Sequence, residues 1–428
     1  MFALQPLRTA ALACVVGSLL LNVAGCSPGP VRVLTISGSA VGREGDVLRR
    51  QLERFRQANP SIDVQLRATP DAADLRHQLY VQWLNAHVSD PDVLQLDVVW
   101  TPEFAAAGWI SALESFRPPV VDFFPSAIEA HRWSGSLYAL PWFIDVGMLY
   151  WRTDLAPAAP RTLDELRRTA LEAKSRGAAK FGMALQAARY EGLITVFVEH
   201  LGAFGGSILA DGGRVTVDSD EAVAALTWMR DAIYVDDLIP AAALAWQEEQ
   251  SRFAFQNGQA VFMRNWPYAY ALLSDPAQSA VAGRFAVAPF PGTTGGTATA
   301  ALGGSALAIN AHSEQPEQAY RLIEFLLQPE QMLERAQIAG QYPPRPALYD
   351  TAELARALPV DPHAAKEIIG RAVPRPVTPV YSQLSAILQV SLHRALTRQQ
   401  EPRPALEAAA AEMRALLARV KLSSVSLP

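Results

Sequence analysis

The sequence has little cysteine, two residues in 428, and its seven histidines are scattered from His77 to His393. A disulfide framework is therefore excluded, and no H-E-x-x-H spacing offers a metal a place to sit. No stripe of Lys and Arg runs along any segment, and the formal net charge is −5, so a surface that neutralises successive phosphates is absent. Nucleotide motifs are missing too: there is no G-x-x-x-x-G-K-[ST] and no G-x-G-x-x-G after a strand. Gly303-Gly304-Ser305-Ala306-Leu307 begins like a nucleophile elbow, but Leu307 stands where the last glycine belongs and a strand pattern follows where a helix is required. Neither a cofactor nor a nucleic-acid partner is expected. Charged residues make up only 18% of the chain and apolar ones 50%, which excludes disorder and predicts two compact domains with sizeable cores.

Long apolar runs are also scarce. The one that stands out, ALACVVGSLLLNVAG after Arg8, is too short for a good membrane span and suits the h-region of a secretory signal. It ends in Val23-Ala24-Gly25-Cys26, which resembles the bacterial lipobox. That resemblance implies removal of residues 1–25 and acylation of Cys26 as the new first residue, followed by a short tether over 26–30. The other cysteine, Cys14, would leave with the signal, so the mature chain would carry no free thiol.

Beyond the tether, strand and helix patterns alternate, the signature of α/β layers with mostly parallel sheets. VRVLTIS (31–37) reads as a strand, Leu48, Leu52 and Phe55 mark a helix that stops at Asn59-Pro60, and IDVQLR reads as the next strand. VLQLDVVW (93–100) has the near-continuous apolar character of a central strand covered on both faces. After residue 150, Thr162 and Glu165 form a capping-box pattern that opens a helix closed by Gly177, and Ser219 caps another bearing Val223, Leu226, Met229 and Ile233. EQAYRLIEFLLQPEQMLERA reads as one long helical segment. Interruptions fall near 148, 297 and 353, and periodicity alone does not explain them.

Several stretches carry a resemblance over nearly the whole mature length: SDPDVLQLDVVWTPEFAAAGWI, LYALPWFIDVGMLYWR, YEGLITVFVEHLGAFGGS, FAFQNGQAVFMRNWPYAY, ALGG and VPRPVTPVYSQLS. In these the chain resembles the family 1 extracellular solute-binding lipoproteins of ABC importers, most closely their trehalose/maltose-binding branch. The resemblance implies a periplasmic-binding-protein-like α/β fold in which two lobes meet at a three-crossover hinge with the ligand cleft between them. It divides the chain into an N-terminal lobe of 31–147 and 299–351 and a C-terminal lobe of 151–295 and 355–428. It also implies a monomer without enzymatic activity, held on the outer face of the cell membrane by lipid at Cys26. Such a monomer would capture a disaccharide and deliver it to ABC permease subunits with their ATPase.

Site residues follow from the same resemblance. Glu44, after the first strand, and Arg76, early in the second helix, match sugar contacts of the first lobe. Asp97 matches a strand-end carboxylate, and Asp145 one beside the first crossover. Glu249, Trp266, Gly304, Arg375 and Tyr381 complete the set. Chemistry supports these residue types, because carboxylates accept hydroxyl hydrogen bonds, guanidinium forks donate several, and aromatic rings pack against sugar C–H faces. Where some relatives place an aromatic after the two glycines, this chain has Ser305, which favours a small, hydrogen-bonded disaccharide. Trehalose comes first, with maltose or another glucoside behind it.

Plainer readings stand beside these. Asp97 could cap the element after its strand, Asp145 could pair with Arg152, Trp266 could be a core aromatic, and Arg375 could pin a surface turn. Glu44 and Arg76 could be merely solvated. A secreted glycosidase using Asp97 and Asp145 is the alternative of a different class.

Overall fold

The structure, a computed structural model, describes residues 33–39 and 41–425. The expected signal segment 1–25, the tether and Cys26 lie outside the described residues. Two principal sheets are built from Val33–Gly38 (β1), Asp63–Ala68 (β2), Val93–Asp97 (β3), Ala139–Val146 (β4), Met148–Arg152 (β5), Phe181–Ala184 (β6), Ala260–Asn265 (β7), Phe285–Ala288 (β8) and Leu302–Ile309 (β9). The first sheet has the order β2-β1-β3-β9-β4 and the second β8-β5-β7-β6.

The expectation of mostly parallel sheets holds only for part of each. β1 runs parallel to β2 and β3, and β6 parallel to β7, in each case through helical crossovers. β9 is antiparallel to β3 and β4, and β5 is antiparallel to β7 and β8. The physical reason is continuity: β4 and β5 are separated by Gly147 alone, so the chain leaves one sheet and enters the other without turning back.

That passage is the first of three between the lobes. The Gly147 N–H donates to the Ala301 carbonyl at 3.1 Å, the Leu302 N–H to the Val373 carbonyl at 2.9 Å, and the Val373 N–H to the Ala300 carbonyl at 2.8 Å. Three crossing segments therefore lie side by side, at 146–148, 300–302 and about residue 373. The expected division of the chain at 351–355 shifts accordingly. Helices Ala352–Ala357 and Pro362–Arg371 pack on the first lobe, against helix Pro329–Ala339 and β4, with Leu354 and Ala365 buried in the core that holds Leu34 and Ile36. Only the segment after 371 crosses, and helix Tyr381–Leu396 then packs on helices Glu191–Ala203 and Asp220–Tyr234 of the second lobe.

Local chemistry sets several element ends. Thr162 Oγ1 accepts from the Glu165 N–H at 3.1 Å and opens helix Leu163–Ser175, and Ser219 Oγ accepts from Ala222 N–H at 3.3 Å. The Glu165 carboxylate turns to the Arg161 N–H rather than to Thr162, so only half of the expected box forms. The long segment after 316 divides into Pro316–Leu326 and Pro329–Ala339, because Pro329 lacks the N–H that would continue the first helix. β3 stops at Asp97 rather than running to Trp100: the Asp97 carboxylate accepts from the Val99 N–H at 3.2 Å and its carbonyl from the Trp100 N–H at 3.0 Å, which turns the chain into helix Thr101–Ala106.

Candidate binding site

A cavity lies between the lobes at the carboxyl ends of β1 and β3, where ligands of open α/β sheets collect. Together with the open solvent at its mouth it encloses about 750 Å³ of space not filled by protein atoms. The first lobe contributes Glu44, Arg76, Asp97 and Asp145, and the second contributes Glu191, Glu248 and Trp266.

Each side chain is placed by its element. Glu44 is the first residue of helix Glu44–Ala58, follows Gly42 at φ +58°, is buried, and accepts a hydrogen bond from Ser39 Oγ. Burial pushes its carboxyl above the usual carboxylate range, against the pull of that bond and of Arg335 and Arg76. Arg76 sits in the first turn of helix Ala73–Asn85, donates to the Pro70 carbonyl at 3.1 Å, and lies 5.5 Å over the Trp100 ring. Its Nε has no partner among the described residues although it is covered.

Asp145 is the seventh of eight residues in β4 and borders the cavity beside Gly303 and Gly304, which pair with Asp145 and Ile144 across the sheet. It does not pair with Arg152, whose guanidinium makes a two-pronged bond to Asp154 at 2.6 Å on each arm. Asp145 Oδ1 is covered and has no hydrogen-bond partner among the described residues. Desolvation holds its carboxyl well above the normal value, Glu44 adds to the rise, and Arg335 opposes it.

Asp97 does two things. Besides capping its own turn, it accepts from Arg375 Nη2 at 2.7 Å. Arg375, 3% exposed, bridges the lobes by also donating from Nη1 to Glu191 Oε1 at 2.7 Å. The reading of Arg375 as a surface turn pin therefore fails. Tyr381 stands behind it: its hydroxyl donates to Glu191, its ring lies 5.8 Å from the Arg375 guanidinium, and it borders a neighbouring cavity rather than this one. Glu191 accepts from Ser385 as well, and burial keeps its carboxyl above the ordinary range despite Arg375.

Trp266 follows β7, is partly buried, and stacks over Arg264 at 4.0 Å while facing the cavity. Gly304 has φ +121°, and a Cβ there would fall 2.3 Å from the Phe143 carbonyl, so the strand requires glycine at this point. Ser305 is buried on the cavity wall and accepts from Gln95 Nε2 at 3.1 Å.

Glu249, like Tyr381, does not border the cavity. Its carboxylate is tied to Arg252 and accepts from the Tyr268 hydroxyl at 2.7 Å, and Glu248 borders the cavity in its place. The two acids open helix Glu248–Gln256 side by side, and its start, with Gln247 and Gln250 forming a capping box, decides which one turns inward. Tyr190, Glu191, Thr195 and Tyr268 also border the cavity and were not singled out from the sequence. Glu191 did leave a signal: it is a carboxylate at the head of an otherwise apolar helix, Glu191–Ala203, whose residues are almost all buried.

Further hydrogen bonds span the cleft. Asp74 Oδ2 accepts from the Glu191 N–H at 2.8 Å and Oδ1 from Gln389 Nε2 at 3.1 Å, and Ser382 Oγ donates to Glu103 Oε2 at 2.5 Å. Asp97 has its oxygens committed to Arg375 and to its own turn.

Comparison with known proteins agrees with this geometry. Residues 51–362 match the profile of the bacterial extracellular solute-binding proteins. A Deinococcus radiodurans protein named "Probable ABC transporter-binding protein" is 33% identical over 417 residues, spanning 94% of this chain and 97% of that one. The solved structure of maltose-bound MalE3 from T. maritima superposes with a TM-score of 0.85 at 40% identity, covering 90% of this chain and 99% of that one. The GacH receptor of Streptomyces glaucescens, solved without ligand and with acarbose, shares the fold at 22% identity and a TM-score of 0.80, with coverage of 90% and 98%. From the bilobed α/β fold, the polar cleft and the profile match, the chain belongs to the bacterial extracellular solute-binding proteins, and it binds its solute without transforming it.

Proposed function

We propose that the protein captures a disaccharide of glucose, trehalose first, in the cleft between its lobes and delivers it to an ABC importer. The observation that carries this reading is the convergence of Glu44, Asp145, Glu248 and Arg76 with Trp266 on one cavity. Acceptors, donors and a flat apolar face together are what a neutral sugar needs. The absence of an aromatic at Ser305 supports a short ligand. A second reading, maltose, is favoured by the 40% identical relative that was solved with maltose bound. The lobes open when empty and close on the sugar, and the importer reads the closed form.

Titration calorimetry against trehalose, maltose, sucrose and cellobiose tests the proposal. Saturable binding of trehalose or maltose at one site per chain is expected. Heat from none of the four would overturn the sugar reading, and tight binding of cellobiose alone would overturn the choice of linkage.

We also propose that Cys26 is the lipidated first residue of the mature chain, which would hold the protein beside its membrane partners through acyl chains. Mass spectrometry of the N-terminus from membranes is expected to find Cys26 with its acyl groups. An unmodified Cys26, or processing elsewhere, would end that proposal.

A further inference from the structure

Behind the cleft wall lies a cation that the site described so far does not use. Arg335, on helix Pro329–Ala339, is 1% exposed, and its Nε, Nη1 and Nη2 have no hydrogen-bond partner among the described residues. Its guanidinium is stacked on the Trp142 ring at 3.8 Å and lies 5.3 Å from the Phe143 ring, so strand β4 fixes the plane and position of the charge. Phe143 borders the cavity, and Asp145 is two residues further on, on the same face of that strand. A buried guanidinium with no bonded anion is strongly disfavoured unless its field falls on nearby charges of opposite sign. Glu334, next to it in sequence, is paired with Arg54. The remaining acids in its field are Glu44 and Asp145.

We propose that Arg335 is a positioning residue for solute binding: from behind the wall its charge opposes the burial of the Asp145 carboxyl, and with it Glu44, and so favours the charged form that accepts sugar hydroxyls. The inference rests on the reading of Asp145 as a ligand acceptor. The charges around Asp145 make the role specific. Glu44 from helix Glu44–Ala58 and Asp97 from β3 disfavour its ionisation, Arg335 and Arg264 favour it, and the phenols of Tyr150 and Tyr342 stand nearby. Glu44 in turn faces Arg335, Arg76 and Asp71. Glu44 disfavours the charge on Asp145, and Arg335 favours the charge on both.

The sign of the effect follows. Sugar affinity falls as pH drops through the Asp145 midpoint, because the protonated carboxyl loses an acceptor position. Without Arg335 that midpoint moves up. Arg335→Met keeps the length and apolar contact of the side chain and removes the charge. Its sugar affinity is expected to fall about tenfold per pH unit below a midpoint displaced upward from wild type, while the affinity at high pH stays near wild type. Arg335→Lys, which keeps a charge, is expected to restore most of the wild-type profile. In the double variant Arg335→Met, Asp145→Asn the profile contributed by Asp145 should vanish.

The readout that does not depend on sugar is the carbon NMR titration of the Asp145 carboxyl in the empty protein, where Arg335→Met should raise the midpoint. An unmoved Asp145 midpoint overturns the inference whatever the protein binds. A profile that moves equally in the Met and Lys variants overturns it as well, because packing rather than charge would then be responsible. If Arg335→Met does not fold, Arg335→Gln carries the same expectations. Wild-type protein that binds no sugar while the NMR midpoint still shifts would end the functional reading and leave the electrostatic role of Arg335 standing.

Discussion

Replacing Asp145 with Asn is expected to raise the melting temperature of the empty protein at neutral pH while weakening sugar binding about a hundredfold or more. The two effects have one cause. A carboxylate accepting two sugar hydroxyls provides hydrogen bonds to a charged group, worth about 1.5–3 kcal/mol each, and Asn can supply only one neutral acceptor while presenting a donor in place of the other. In the empty protein the same carboxylate is a burden, since Oδ1 is covered and unpartnered and Glu44 repels it. Its folded-state pKa is raised above the unfolded value of about 3.9. An acid raised in this way contributes stability that is fully present below the unfolded value and lost as pH rises through the folded one. The gain from Asn should therefore be large near pH 8 and shrink on acidification. Thermal scans of both proteins from pH 4 to 8, with and without trehalose or maltose, check this. A lower apo melting temperature together with an intact ligand shift would show that Asp145 serves the core and not the cleft.

Glu199→Ala is expected to destabilise the protein by about 3–5 kcal/mol, because it strands a buried guanidinium. Glu199 and Arg264 are both 0% exposed and form a two-pronged pair, Arg264 Nη2 to Oε1 at 2.6 Å and Nε to Oε2 at 2.8 Å. Glu199 Oε1 also accepts from the Ala301 N–H at 3.2 Å, and a Cβ on Gly147 would fall 1.6 Å from it. The pair therefore touches two of the three crossing segments. Because Arg264 also supports Trp266 from below, the variant should lose sugar affinity through a displaced ring as well as stability. Denaturant unfolding measures the first effect and calorimetry the second. Replacing both partners with Leu and Met should recover much of the loss, since the residual penalty comes from an uncompensated charge. A loss below about 1 kcal/mol for Glu199→Ala would mean that solvent reaches this pair.

Much of the architecture was readable in the chain, and the unreadable parts have identifiable causes. Alternating patterns place the strands and helices of both lobes, and Thr162 and Ser219 act as caps where their spacing says they should. The third crossing escapes such reading because Leu354, Leu358, Ala365 and Ile369 are apolar at helical spacing, which states that they are buried and not which lobe buries them. Strand direction is equally silent, so the antiparallel insertion of β9 between β3 and β4 shows only in the structure. At the cleft, resemblance rather than pattern marked Glu44, Arg76, Asp97, Asp145, Trp266, Gly304 and Arg375, and all seven border the cavity. Glu248 and Glu249 illustrate the limit. Two neighbouring acids in a first turn differ by about 100° around the helix, and a shift of one residue in the helix start exchanges their roles.

One contact across the cleft ties the kinetics of the site to the integrity of a helix. Tyr190, at the cap position of helix Glu191–Ala203, supplies no side-chain cap, and the first N–H of that helix is served by Asp74 from the opposite lobe. When the lobes part, the helix surrenders its cap and the positive end of its dipole to water. Solute release is thereby coupled to the uncapping of a helix that spans the second lobe's core. On the proposed reading, the dwell time of a bound solute is expected to respond to substitution at Asp74, which borders the adjoining cavity and not the candidate site.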